Sequence, residues 1–303
     1  MFCKIDIIPR LRNAAFQYRI LKEVQIMSCD PANPKGSGFV DVWQETVPVR
    51  FGAIDKSDKL TLDAIFNYFQ EAAISHAENL GVGREEMART GQVWILSRMT
   101  VIVNKRPNYR ETVKIRSWPC GWEKLFAIRD FDIKDADDKK IVSARSAWLI
   151  VDIEKRRPLR PQSVMDNLPL NEGMEAISAE AGAVAGLPEC ENLQKITERK
   201  ALYTDLDFNG HVNNVRYINW IEDIVDIELL LNAGKMRFDV NYLNEIMEGE
   251  TVELFSAPIY SEEGPENASA DYAFTFEGRK KEDGASRGQA AFRAELRIWN
   301  KQK

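Results

Sequence analysis

Histidine is scarce in this chain: 303 residues carry two, His76 and His211. Any imidazole chemistry must pass through one of them. The four cysteines, Cys3, Cys29, Cys120 and Cys190, lie far apart with no Cys-x-x-Cys pair. That spacing excludes the usual zinc and disulfide frameworks and fits a reducing, cytoplasmic compartment. Cys120, next to Pro119 in an aromatic strand-like run, reads as a packing residue rather than a nucleophile. No apolar run approaches the ~18 residues of a membrane-spanning helix. Positive charge is in deficit, 41 Lys and Arg against 47 Asp and Glu for a net charge of −6, which argues against a nucleic-acid-coating surface. Residues 1–26 have neither a continuous apolar core nor much serine, so no secretory or transit signal is read there. No cofactor and no metal is expected.

What remains is an ordinary globular composition, 44% apolar and 29% charged, long enough for two domains. Pro31, Pro34, Gly36 and Gly38 mark a flexible join, so residues 1–39 read as an N-terminal extension. The rest reads twice. In the first half, Val47–Ile54 is strand-like, Asp55–Lys59 is a polar turn, and a helix is predicted from Thr61, a plausible cap, to Leu80. Its apolar residues Leu62, Ile65, Phe69, Ala72 and Ala73 recur at helical spacing. Strands follow at Val93–Asn104, Glu111–Trp118, Phe126–Lys134 and Ile141–Ile153. Asp135–Lys140 marks a hairpin turn.

The second half repeats this order. A strand at Ile196–Tyr203 precedes a polar loop, and a helix is predicted from Val212 to Leu231, apolar over much of its circumference. Strands then run at Met236–Leu243, Thr251–Tyr260, Ala270–Gly278 and Gln289–Trp299. Asp283-Gly284 reads as a hairpin turn. The Ala-, Gly- and Glu-rich stretch between the halves reads as a connection. The expected domains are therefore 40–164 and 195–303, joined by a linker at 165–194. One long helix followed by an antiparallel sheet, twice over, implies an α+β protein with two antiparallel sheets, each wrapping a long central helix.

The loop before the second helix carries Asp207, Asn209 and His211 at alternate positions. Alternate residues of an extended or turning segment can face one way, and a helix start offers unpaired N–H groups and a positive dipole end. Such a set could hold a carbonyl and a water for ester or thioester hydrolysis. Helix capping explains Asp and Asn there equally well. Aligning Asp58 with Asp207, an offset of 149 residues (207 − 58), puts Leu60 and Leu62 opposite Asn209 and His211. On that alignment the architecture is duplicated and the polar set is not, which capping alone does not predict.

The run Leu206-Asp207-Phe208-Asn209-Gly210-His211-Val212-Asn213-Asn214-Val215-Arg216-Tyr217-Ile218, with Tyr242-Leu243-Asn244-Glu245, resembles the fatty acyl-acyl carrier protein thioesterases of plants and bacteria. Phe69-Gln70-Glu71-Ala72-Ala73 with His76, Trp94-Ile95-Leu96-Ser97-Arg98-Met99 and Ser146-Ala147-Trp148 are similar to that family as well. The likeness runs from about Val47 to Trp299. It implies a tandem hotdog fold and a hydrolase of fatty acid biosynthesis that releases fatty acids from acyl carrier protein. It also implies a site of Asp207, Asn209, His211 and Glu245. Plant members often carry a cysteine directly after the glutamate. Here Ile246 stands there, so the resemblance implies activated water rather than a cysteine acyl-enzyme. Either Glu245 or His211 would take the proton.

His76 continues the apolar stripe of the first helix and reads as a core histidine. Gln70 and Glu71 either face the opposing half or are exposed. Trp94, Trp118, Trp122, Phe126 and Trp148 read as core, or as the lining of an acyl tunnel, since a long hydrocarbon needs a deep apolar cavity. Lys155, Arg156, Arg157 and Arg160 form the densest basic cluster. Beside a solvated loop, the functional reading is a dock for the acidic carrier or its phosphopantetheine phosphate. A coenzyme A thioesterase, a silent acyl-binding protein and a dehydratase remain alternatives, and a homodimer is compatible with the sequence.

Overall fold

The computed structural model describes residues 39–171, 173–177, 193–259, 270–281 and 288–300. Its first half comprises β1 (Trp43–Pro48), α1 (Leu62–Asn79), α2 (Arg84–Arg89), β2 (Gln92–Val103), β3 (Thr112–Glu123), β4 (Phe126–Lys134), β5 (Lys140–Asp152), β6 (Arg157–Leu159) and α3 (Gln162–Met165). The second comprises β7 (Gln194–Lys200), α4 (Asn214–Glu222), α5 (Ile227–Asn232), β8 (Ala233–Tyr242), β9 (Thr251–Pro258), β10 (Tyr272–Lys280) and β11 (Ala290–Asn300). A short 3-10 turn precedes each main helix, at Phe51–Ala53 and Tyr203–Asp205. The class is α+β with antiparallel strands, as the alternating patterns required.

The two expected sheets are one. Strand order is β1-β3-β4-β5-β2-β8-β11-β10-β9-β7, with β6 on β5. The halves join where Arg98–Val103 of β2 pairs with Met236–Asn241 of β8. Each of these strands would otherwise end a sheet with unpaired N–H and C=O groups, and pairing them removes both edges. The strands alternate Met99, Val101 and Val103, or Met236, Phe238 and Val240, towards one core that also holds α1 and α4. Phe66 of α1 packs edge-on to Phe238 of β8, ring centroids 5.7 Å apart.

Three helix expectations change. The second helix is not continuous to Leu231: α4 stops at Glu222, and α5 restarts at Ile227 under a cap from the Asp226 side chain to the Glu228 N–H, 2.9 Å. An Asp at an N-cap stabilises a new start, and it outcompetes the apolar periodicity that ran across the break. Thr61 occupies the first helix's cap position without capping it. The Glu222 carboxyl group of the other half does so instead, accepting from the N–H groups of Leu62 (3.0 Å) and Asp63 (3.2 Å). Helix α2, with Met87 buried, had no counterpart in the sequence reading.

The connection between halves is partly structural. Met165, Leu168, Ala176 and Ile177 are buried. Trp118 Nε1 donates to the Met174 carbonyl (2.7 Å), and the Ala176 N–H donates to Asp130 (2.8 Å). The segment therefore covers the back of β3 and β4, which explains why β4 is buried on both faces. Residues 1–38 and the Asp283-Gly284 turn lie outside the described residues.

Candidate active site

The loop before α4 closes on Asp207. Its Oδ1 accepts from the backbone N–H of Asn209 (2.8 Å) and of His211 (3.2 Å). The backbone returns the closure, Asp207 N–H to the His211 carbonyl at 2.7 Å and Gly210 N–H to the Asp207 carbonyl at 3.0 Å. Gly210 takes a φ of +77°, a conformation glycine adopts at no steric cost. Asp207 thus grips the backbone of the turn rather than the imidazole. The capping reading is settled by another residue: Asn213, whose side chain accepts from the Val215 N–H at 2.9 Å, caps α4.

Glu245 lies in the loop after β8, and this loop is tied to the turn. The Val212 N–H donates to the Ile246 carbonyl at 2.8 Å, and His211 bridges to Met247. That places Glu245 Oε2 3.5 Å from His211 Nε2. The His211 side chain is 21% exposed and that of Glu245 40%, so water reaches both. Ile246 is fully buried. Tyr217, which the sequence placed in an apolar stripe, belongs to this neighbourhood: burial, then the carboxylates of Glu245 and Asp207, push its phenol well above the ordinary range. In the sequence it stands in an apolar row with Trp220, Ile224 and Leu231, and its phenol is the only signal there.

The helix start offers less to a substrate oxygen than expected. The N–H groups of Asn209, Gly210, His211, Val212, Asn213, Val215 and Arg216 are all committed to acceptors in the protein. Asn209's own carboxamide, with one long contact of 3.5 Å to Asp207, is a side-chain donor left in position.

The first half contains the same turn, and its geometry corrects the alignment. Asp55, not Asp58, is the counterpart of Asp207, an offset of 152 residues (207 − 55). Asp55 Oδ1 accepts from the N–H groups of Ser57 (2.7 Å) and Lys59 (3.3 Å). Asp58 takes Gly210's place with a φ of +59°. The polar set maps onto Asp55, Ser57, Lys59 and, two residues before the bridging Asn108, Arg106. Here the glutamate has become an arginine, bonded to Asp55 (2.5 Å) and to the Leu230 carbonyl (2.8 Å). The first-half turn is a structural joint with no histidine. Sequence alignment missed this because it matched aspartates by type, whereas the turn is defined by the residue that accepts the two N–H groups.

His76 is fully buried between the Val40 carbonyl (2.8 Å) and Arg129 (3.0 Å). Burial and the Arg129 charge lower its pKa to about 4, so it is a neutral core residue. Burial lifts the Cys120 thiol to about 12. Trp94, Trp122 and Trp148 pack round Leu80, Met165 and Leu168. Lys155 (exposed) and Arg156 (half-buried) lie on the β5–β6 turn, and exposed Arg157 and Arg160 begin and follow β6; Lys155 pairs with Asp152 at 3.5 Å. A hollow of about 100 Å³ lies by the Asp207 turn, lined by Asn67, Thr204, Leu206, Asn213, Val215 and Arg216. Another of about 260 Å³ lies by the first-half turn, against Arg106, Glu222 and Leu231. Neither is a deep apolar channel. Among the described residues no helix is long and apolar enough to cross a membrane, and no cluster of three metal-ligating side chains occurs.

Two sequence profiles match the chain: acyl-ACP thioesterase N-terminal domain over residues 40–168 and acyl-ACP thioesterase C-terminal domain over residues 190–295. The chain is 26% identical over 243 residues to the chloroplastic acyl-[acyl-carrier-protein] hydrolase FATB2 of Cuphea viscosissima, covering 74% of this chain and 57% of that one. It is 25% identical over 241 residues to the chloroplastic oleoyl-acyl carrier protein thioesterase of Coriandrum sativum, covering 73% and 64%. It therefore spans little more than half the length of the first of these relatives. Among solved structures, an acyl-ACP thioesterase from Bacteroides thetaiotaomicron superposes with a TM-score of 0.70 at 25% identity, covering 85% of this chain and 98% of that one. The 12:0-ACP thioesterase of Umbellularia californica shares the fold, with a TM-score of 0.72 at 20% identity over 86% and 98%. With both halves matched in order, the chain belongs to the acyl-ACP thioesterase family.

Proposed function

We propose that this protein is a thioester hydrolase that frees fatty acids from acyl carrier protein. The observation that carries the reading is the approach of the His211 imidazole to the Glu245 carboxylate, 3.5 Å apart and open to water, beside a turn that Asp207 fixes. The first-half counterpart, with Lys59 and Arg106 at the matching positions, keeps the turn and loses that pair. A purely structural turn gives no reason for the difference.

In this scheme His211 and Glu245 act as a coupled pair on one water. One takes its proton while the other orients it, and the oxygen attacks the thioester carbon. The Asn209 carboxamide donates to the carbonyl oxygen as negative charge develops there. Collapse breaks the carbon–sulfur bond, the captured proton passes to the departing thiolate, and the free acid leaves. General base catalysis of this kind contributes about 10²–10⁴-fold. Neither hollow beside the two turns is large enough to seat a long acyl chain.

The same proposal takes the fold as a tandem hotdog, 40–164 and 195–303 with 165–194 between, α1 and α4 being the central helices. It takes the β5–β6 cluster as the dock for the acidic carrier. Cytoplasmic placement rests on the wide spacing of the four cysteines, with no Cys-x-x-Cys pair, whereas the names of the plant relatives place those proteins in the chloroplast. Coenzyme A thioesters are the second substrate class, because the arm and the scissile bond are the same. Comparing rates on carrier-bound and coenzyme A substrates separates the two.

The test is steady-state turnover of an acyl thioester by His211→Ala, Asn209→Ala and Glu245→Ala. Each should lose about 10²-fold or more with circular dichroism and Tm preserved. Near-parental rates in all three would leave a silent acyl-binding protein as the better description.

A further inference from the structure

Helix α2 brings a first-half cation onto the second-half turn. The Arg84 guanidinium carbon sits 3.6 Å above the centre of the Phe208 ring, and Phe208 is the residue between Asp207 and Asn209. Phe208 is 58% exposed, so its free face and the cation on it are open to a ligand. Arg84 is exposed as well and has no carboxylate partner among the described residues. The neighbouring acids are engaged elsewhere, Glu85 and Glu86 each 3.5 Å from Arg89. Stacking occupies the plane of a guanidinium and leaves the N–H donors along its edge available. That is the geometry in which arginine grips phosphate oxygens in pairs.

The arginine stands on a fixed base. A Cβ at Gly83 would lie 2.7 Å from Glu78 Cγ, so the chain there packs against α1 with no slack. Met87 is buried, and Trp94 Nε1 donates to the Val82 carbonyl at 2.9 Å. At its far end α2 runs into Gly91, whose carbonyl accepts from the Ile153 N–H at 2.9 Å, just before the Lys155, Arg156 and Arg157 turn. Six residues of helix span about 9 Å. Arg84 therefore lies between the basic turn and the His211–Glu245 pair.

We propose that Arg84, stacked on Phe208, receives the phosphate ester of the pantetheine arm that delivers the acyl group. This rests on the thioesterase reading and adds to it a specific anion contact. A carrier seated on the β5–β6 turn would lie over α2, with its serine-linked phosphate on Arg84 and the arm running on from there to bring its thioester to His211. The arm of coenzyme A offers the same phosphate chemistry without the carrier.

The experiment compares one acyl group on three thiols: acyl carrier protein, coenzyme A and N-acetylcysteamine, which has no phosphate. In Arg84→Ala, the KM for the two phosphate-bearing substrates should rise about tenfold relative to that for the N-acetylcysteamine thioester. Arg84→Lys should recover part of the difference. An unaltered KM ratio, or equal losses on all three thiols, would overturn the proposal. A rise confined to the carrier would also overturn it, by assigning Arg84 to the carrier's protein surface. Calorimetry of carrier with and without its arm reads the same contact without turnover: Arg84→Ala should erase the preference for the armed form. If the unaltered protein hydrolyses none of the three thioesters, the hydrolase reading fails, and the calorimetric comparison still decides the role of Arg84.

Discussion

At the scale of single residues, environment rather than identity separates chemistry from packing. The two histidines make the point. His76 spends both ring nitrogens on Val40 and Arg129 inside the core, while His211 keeps Nε2 towards Glu245 at a wet surface. Cys120 is disqualified as a nucleophile by the same reasoning. Burial first, and then the Asp130 charge, hold its thiol protonated with a pKa of about 12, and the thiolate is the reactive form. Cys120→Ala should accordingly keep close to parental turnover in the thioester assay that His211→Ala fails, and iodoacetamide should not inactivate the native protein. Rapid alkylation with loss of rate would return Cys120 to consideration.

At the scale of elements, the informative contact is the capping of one half's helix by the other. Glu222, at the end of α4, holds the first N–H groups of α1. Burial, and then the nearby Asp63, raise its pKa to about 8 from an ordinary 4.5. A group raised in this way binds its proton more tightly folded than unfolded. Its contribution to stability is complete below about pH 4.5 and is lost as the pH rises through about 8. Glu222→Gln keeps one acceptor oxygen and does not titrate, so it should flatten this part of the pH profile. Thermal melts of both proteins between pH 5 and 9 should show the parent losing Tm relative to the variant towards the alkaline end. Parallel curves would mean that the carboxyl is not held protonated. Capping also explains why periodicity misjudged α4: its apolar rows continue past Glu222, yet Asp226 restarts the chain as α5.

At the scale of the whole molecule, fusing two halves into one sheet makes asymmetry possible. Each half retains the Asp-closed turn. Only the second has the histidine and glutamate; the first has Lys59 and Arg106 at those positions, with Arg106 bonded to Asp55 and to the Leu230 carbonyl. On the proposed thioesterase reading, one such pair needs only one approach for a carrier-bound substrate. The basic β5–β6 turn of the first half is the candidate for that approach. Reversing charge there, with Lys155→Glu, Arg157→Glu and Arg160→Glu together, should raise KM for a carrier-bound thioester by about tenfold or more. The effect should weaken as salt screens the surface. A small thioester should show no such salt-sensitive penalty, and equal penalties on both would point to damaged folding instead of docking.

The sequence by itself determined the class of fold, the duplicated order of elements and most strand limits, because period-two alternation is a local property of each segment. The strands predicted at Phe126–Lys134 and Ile141–Ile153 fall on β4 and β5 with at most a residue's shift. It also singled out Asp207, Asn209 and His211, since polar residues crowded before an apolar helix stand out without coordinates, whereas Glu245 was implied only by the family resemblance. Only the tertiary structure decided how the halves meet, edge to edge through β2 and β8, and that Asp55 rather than Asp58 is the true counterpart of Asp207. It alone placed Arg84 on Phe208, Tyr217 beside the carboxylates and Glu222 on the start of α1. Those relations depend on groups far apart in the chain whose geometry is set by packing and backbone hydrogen bonds, and neither leaves a local periodicity to read.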